Sequence, residues 1–202
     1  MVELKKRLSC RYWGFRAFFY ALYYRIPLLS AISRREHKSL RELWNSCPDK
    51  PYGIHLDLAC GSKPVEIAGN LHLRIGIDAS RKMLRYAATT TNSFDFMAGD
   101  ALSIPLISNT VSVVTAAGLT EYLESPGLFL SEMHRILRSR GVLVFSFSHS
   151  NLLNNLRKLW NPHIYLRDET NWKTMTGENK FEFIAKNKLL LQTQLICRKY
   201  PD

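Results

Sequence analysis

Three aspartates recur through the middle of this 202-residue chain, each closing a short apolar run. Ile54-His55-Leu56-Asp57-Leu58 passes into Ala59-Cys60-Gly61-Ser62. Leu73-Arg74-Ile75-Gly76-Ile77 ends on Asp78, and Phe94-Asp95-Phe96-Met97-Ala98 ends on Gly99-Asp100. A glycine with no side chain lets a ligand lie against the backbone. Pro64 suits the first turn of a helix whose free N–H groups would face that ligand. An acidic residue about 20 positions after such a turn is placed to accept hydrogen bonds from ribose hydroxyls. One isolated strand-end aspartate is more often a helix cap or a turn former. Three at successive strand ends point to a bound cofactor.

The elements that would hold these residues alternate. Strands are expected over 54–59, 73–77, 94–98, 111–116 and 142–147. Helices are expected over 64–70 (a short one), 80–90 and 126–137, with Gly141 ending the last. Alternating strands and helices argue a parallel sheet covered on both faces, an α/β fold. Upstream, 3–26 and 30–44 read as helices, the second with Ile32, Leu40 and Leu43 inward and Arg34, Arg35, Glu36, Lys38 and Arg41 outward. Asn45 to Gly53 breaks the pattern with two prolines and a glycine. Two segments follow: 1–50, a basic, aromatic-rich helical cap, and 51–202, the domain that would carry the chemistry. After Ser148 we expect a helix over 151–160, an irregular insertion over 161–176, a helix over 178–188 and a strand over 189–197.

The ordered motifs resemble those of the class I S-adenosylmethionine-dependent methyltransferases, in the small-molecule branch that includes the quinone-biosynthesis C-methyltransferases. Asp57-Leu58-Ala59-Cys60-Gly61-Ser62-Lys63 stands where that family reads Asp-Leu-Gly-Cys-Gly-Thr-Gly. Gly76-Ile77-Asp78-Ala79-Ser80-Arg81-Lys82-Met83-Leu84 matches Gly-(Val/Ile)-Asp-x-Ser-x-x-Met-Leu. Gly99 to Leu106 resembles Gly-Asp-Ala-x-x-Leu-Pro-Phe, and Glu132 to Gly141 resembles Glu-x-x-Arg-Val-Leu-Lys-Pro-Gly-Gly.

The resemblance implies a Rossmann-like, mostly parallel sheet, S-adenosylmethionine as cofactor, and a methyl acceptor. It assigns Asp57, Ala59 and Gly61 to the methionine part, Asp78 with Ala79 to the ribose, Asp100 and Ala101 to the adenine, and Gly118 to the neighbourhood of the sulfonium. The family sheet has seven strands, the last antiparallel. With one convincing strand after the fifth, the last is expected to be missing. Two departures stand out: Ala59 replaces the first glycine of the loop, and Lys63 replaces the last.

No general base is clear. His149 after strand five, and Glu121 and Tyr122 after strand four, are the candidates, each against the plainer role of a cap or an exposed polar group. His163 and Tyr165 are weaker still. Ala116-Ala117-Gly118-Leu119 stands where enzymes methylating exocyclic base amines carry (Asp/Asn)-Pro-Pro-(Tyr/Phe). The order of readings is therefore a small, lipophilic acceptor first, a non-catalytic binding module of the same fold second, and an RNA methyltransferase third.

The net charge is +11, and residues 1–50 hold 11 Lys/Arg against 4 Asp/Glu. Eight aromatics fall between Tyr12 and Tyr24, interleaved with arginine. Such a helix packs on its domain as a lid or meets a membrane surface peripherally. Its apolar run is too short to span a bilayer, so the expected location is the cytoplasm or the inner face of a membrane. Four scattered cysteines suggest neither a disulfide framework nor a metal site.

Overall fold

The computed structural model describes residues 27–161 and 163–201. The expected helix over 3–26, and with it the aromatic stretch, lies outside the described residues.

Seven strands form one sheet in the order β3-β2-β1-β4-β5-β7-β6. These are β1 (Gly53–Leu58), β2 (Leu71–Asp78), β3 (Asp95–Ala98), β4 (Val111–Ala116), β5 (Leu137–Phe147), β6 (Phe181–Lys188) and β7 (Thr193–Lys199). The first five run parallel, and β7 is antiparallel to both β5 and β6. β4 is buried along its whole length, as a central strand covered on both faces must be. The chain crosses from one side of the sheet to the other between β1 and β4, which sets a crevice at the carboxyl ends of these strands.

Five helices are described: α1 (Pro27–Asn45), α2 (Arg81–Ala87), α3 (Pro126–Ile136), α4 (Leu152–Trp160) and α5 (Glu169–Glu178). On one face, α3 buries Phe129, Leu130, Met133 and Ile136, and α5 adds Trp172, against the inner side chains of β1, β4 and β5. On the other, Leu40, Leu43 and Trp44 of α1 pack on Val113, Val142, Val144 and Ile196. Polar ties lock that helix down. The Ser39 hydroxyl donates to Gln194 Oε1 at 2.9 Å, Gln194 Nε2 donates to the Glu36 carbonyl at 2.8 Å, and Trp44 Nε1 donates to the Ala68 carbonyl at 2.6 Å.

Five sequence expectations need correction. The last strand is present. Phe181–Lys188, expected as helix, is the edge strand β6, because alternation of Phe181 and Phe183 with Glu182 satisfies a sheet period. Its exposed Lys186 and Lys188 suit an outer strand. The insertion after 161 holds α5 instead. No helix follows β1: residues 64–68 are extended, with Val65 and Ile67 buried and Glu66 and Ala68 exposed. That alternation was readable, and it outweighs the proline signal. Finally, β5 starts at Leu137 straight from α3, and Gly141 lies within the strand at a register shift against β4.

Candidate active site

The carboxyl ends of β1, β2, β3 and β4 open onto a cavity of about 850 Å³. Asp57, Asp78 and Asp100 line it, as do Ala59, Gly61 and Gly118. Gly61 and Gly118 have φ of +56° and +70°, and a Cβ at either would meet nothing within 4 Å. Bare backbone therefore forms the wall at these two points, and a ligand can approach it closely. Ala59 holds the left-handed conformation as well, with φ 54°.

The three carboxylates differ in what they do. Asp57 is buried: its Oδ1 accepts from the Thr115 hydroxyl at 2.6 Å and its Oδ2 from the Val65 N–H at 2.8 Å. Burial pushes its pKa up to about 7, against the pull of those two bonds. Because the Thr115 hydrogen goes to Asp57, the 2.8 Å contact with His55 Nε2 needs that nitrogen to donate. Burial pushes the pKa of His55 down to about 3, so it is the neutral Nε2–H tautomer. Asp57 thus ties β1 to β4 and to the segment after the loop.

Asp78 faces the cavity more openly. Its Oδ2 accepts from the Gly61 N–H at 3.0 Å and its Oδ1 from the Ser80 N–H at 2.8 Å, and burial raises its pKa. Each oxygen keeps a second lone pair for a ligand hydroxyl. Asp100 Oδ1 accepts from the Leu102 N–H at 3.0 Å in a tight turn, and the half-buried Ala101 follows on the same cavity wall. Ala79 is exposed beside Asp78 and also lines the cavity.

Residues 56–145 match the family model described as a methyltransferase domain. That stretch, just under half of the chain, is a methyltransferase domain, and the seven-stranded sheet around it has the Rossmann-like methyltransferase fold.

Among curated proteins it is 34% identical over 99 residues to the demethylmenaquinone methyltransferase of Renibacterium salmoninarum, covering 46% of this chain and 41% of that protein. It is 29% identical over 86 residues to the malonyl-[acyl-carrier protein] O-methyltransferase of Yersinia pestis, covering 43% and 32%. The chain thus matches well under half the length of either relative. Among solved structures, magnesium protoporphyrin IX methyltransferase from Synechocystis PCC 6803, with bound SAH, superposes with a TM-score of 0.76 at 18% identity, over 96% of this chain and 99% of that one. That likeness speaks for the fold.

The residues present fit the family's cofactor. Carboxylate acceptors at the ends of β2 and after β3 suit hydroxyl and amine donors, and the side-chain-free walls at Gly61 and Gly118 leave room beside them. One expected feature is missing: with no helix behind the loop, no helix N-terminus faces the ligand.

Beyond this methyltransferase crevice the cavity continues to a charged end that the sequence reading only half located. Glu121, in a short 3-10 turn (Thr120–Tyr122), is buried and lines the cavity. It pairs with Arg157 of α4 at 3.1 Å and accepts from the Ser148 hydroxyl. Tyr122 lines the cavity too, and its hydroxyl accepts from Asn161 Nδ2 at 3.3 Å. His149 is not among the lining residues. Its ring meets Asn151 Nδ2 at 3.1 Å and the Thr193 hydroxyl at 3.2 Å, on the β7 side. His163 and Tyr165 also lie off the wall.

Glu36, expected to point outward, is half-buried and lines the cavity with Ser33 and His37. Burial, with the nearby Glu121 charge, pushes its pKa up to about 7, while Arg157 draws it down. His37 is pushed down to about 4 by burial and by Arg41 and Lys63. The signal for Glu36 was its spacing from Leu40 and Leu43, four and seven residues on, which puts it on their side of the helix.

Proposed function

We propose that this chain binds S-adenosylmethionine in the cavity and transfers its methyl group to a small, lipophilic acceptor. The observation that carries the proposal is the row of strand-end carboxylates and bare-backbone walls around one cavity, within a matched methyltransferase domain. When bound, S-adenosylmethionine supplies an electrophilic methyl carbon.

Asp78 takes the ribose hydroxyls, with Ala79 beside them. Ala59 and Gly61 back the methionine part, Asp100 and Ala101 the adenine, and Gly118 the methyl position. The chain's remaining tasks are to align the acceptor and exclude water. Leu119, Leu123 and Leu128 give the acceptor an apolar wall, and α1 covers it through Ser33, Glu36 and His37. Glu121, paired with Arg157, orients polar groups of the acceptor. Glu36 is a cavity group suited to take a proton near neutral pH. Two relatives named for a quinone and a porphyrin support the lipophilic class.

Incubation with methyl-tritiated S-adenosylmethionine and a membrane lipid extract tests the proposal. Label should enter the solvent-extractable fraction, and Asp78→Ala should abolish it. Label appearing only in protein or nucleic acid would overturn the acceptor class.

One observation favours a non-catalytic binding module instead. The N–H groups of Cys60 and Gly61 are already taken, by the Ile77 carbonyl at 3.1 Å and by Asp78. A loop so occupied offers less to the methionine end of a cofactor.

A further inference from the structure

Helix α4 is docked with its polar side inward. Asn154 is fully buried, and its Nδ2 donates to the carbonyls of His149 at 2.8 Å and Leu191 at 2.7 Å. Arg157, one turn on, reaches Glu121. The leucines face the other way: Leu152 and Leu159 are each 76% exposed, Leu156 47% and Leu153 43%. At about 100° per residue these four share one arc of roughly 120°. The turn between β6 and β7 extends the arc. Leu190 is 64% exposed, and its carbonyl accepts from Asn151 Nδ2 at the start of α4. An inverted helix of this kind leaves a contiguous apolar face in search of a partner.

Charge identifies the partner. Lys188, two residues before Leu190, is exposed beside the face, and Lys158 is exposed farther round α4. No Asp or Glu occurs between Phe147 and Asp168, nor between Glu182 and Asp202, so both segments that build the face carry only basic charge. A second copy of this chain would set lysine against lysine across a two-fold contact, which is repulsive. The headgroup and acyl boundary of an anionic bilayer offers apolar depth and negative charge together.

We propose that α4 and the adjoining β6–β7 turn form a docking face for an anionic lipid bilayer. The inner sides of the same two elements, through Arg157, Leu191 and Gln192, line the cavity. A lipophilic acceptor could therefore pass from the bilayer to the cavity along α4. That route rests on the proposed function; the docking does not, and its test reads membrane binding without methyl transfer.

The test is co-sedimentation of the full chain with phosphatidylcholine vesicles, with and without phosphatidylglycerol. Two variants are compared, Leu152→Gln/Leu156→Gln/Leu159→Gln and Lys158→Gln/Lys188→Gln, with melting curves and light scattering for each. The wild type should sediment with the anionic vesicles and less so at high salt. The leucine variant should lose more than about tenfold in binding while its melting temperature holds, and the lysine variant should lose binding to anionic vesicles alone. Three results would overturn the proposal: no sedimentation with either vesicle, unchanged sedimentation of the leucine variant, or a wild-type dimer that the leucine variant splits without any vesicle binding.

Discussion

Of the five described non-glycine residues with left-handed backbone, two replace a glycine. Ala59 has φ 54° and Arg140 φ 59°, and both stand where the family's motifs read glycine. A left-handed L-residue costs about 1–2 kcal/mol. Glycine's greater freedom in the unfolded chain takes back about 0.4–1 kcal/mol of the relief. Arg140→Gly should therefore stabilise the protein by about 0.5–1 kcal/mol in urea unfolding, and a loss of stability would contradict the strain. Asp57 works in the opposite sense. Asp57→Ala leaves the Thr115 hydroxyl and the Val65 N–H buried without their acceptor, at about 1–3 kcal/mol each. A measured loss below about 1 kcal/mol would show that the carboxylate is not holding β1 to β4. Glu36 should leave a pH signature. Its folded pKa of about 7 lies above the usual 4.5, so the native state binds the extra proton between those values. Its contribution is thus most favourable below pH 4.5 and is lost as pH rises to about 7. Glu36→Gln should lack that fall, so the difference between the two stability curves should show it. Identical slopes for mutant and wild type would place Glu36 in open solvent.

At the scale of elements, the parallel half of the sheet was legible because its strands are continuous apolar runs and its turns carry the glycines and aspartates. The antiparallel half was not. Phe181 to Lys188 mixes lysines with half-buried side chains, and the register shift between Phe183 and Ala185 interrupts the alternation that its first residues show. The segment after β1 misled through Pro64, whereas Val65 and Ile67 mark an extended chain pinned by Trp44. The site divided in the same way. Strand-end aspartates could be found from spacing, but Glu36 and Arg157 meet only because α1 and α4 close over the crevice from distant parts of the chain. Here α1 is core: Trp44 is fully buried among residues of β4, β5 and β7. Trp44→Ala should cost about 3–5 kcal/mol. A cost under about 1 kcal/mol, read by thermal unfolding, would make α1 a detachable cap.

For the molecule as a whole, the sheet order brings three aspartates from separate strands to one cavity, and the helices on either side close it with a charged end and an apolar face. Among the described residues no helix is long and apolar enough to cross a membrane. The central claim is that this cavity takes S-adenosylmethionine, with Asp78 as the ribose acceptor. The most direct measurement is calorimetric titration of the chain with S-adenosylmethionine, repeated on Asp78→Ala with its fold checked by melting. The account predicts micromolar binding, about −8 kcal/mol, competed by S-adenosylhomocysteine and weakened more than about tenfold, or 1.4 kcal/mol, by the substitution. Absence of heat and of competition in a folded wild-type protein would contradict it, and would leave the methyltransferase fold serving as a binding module.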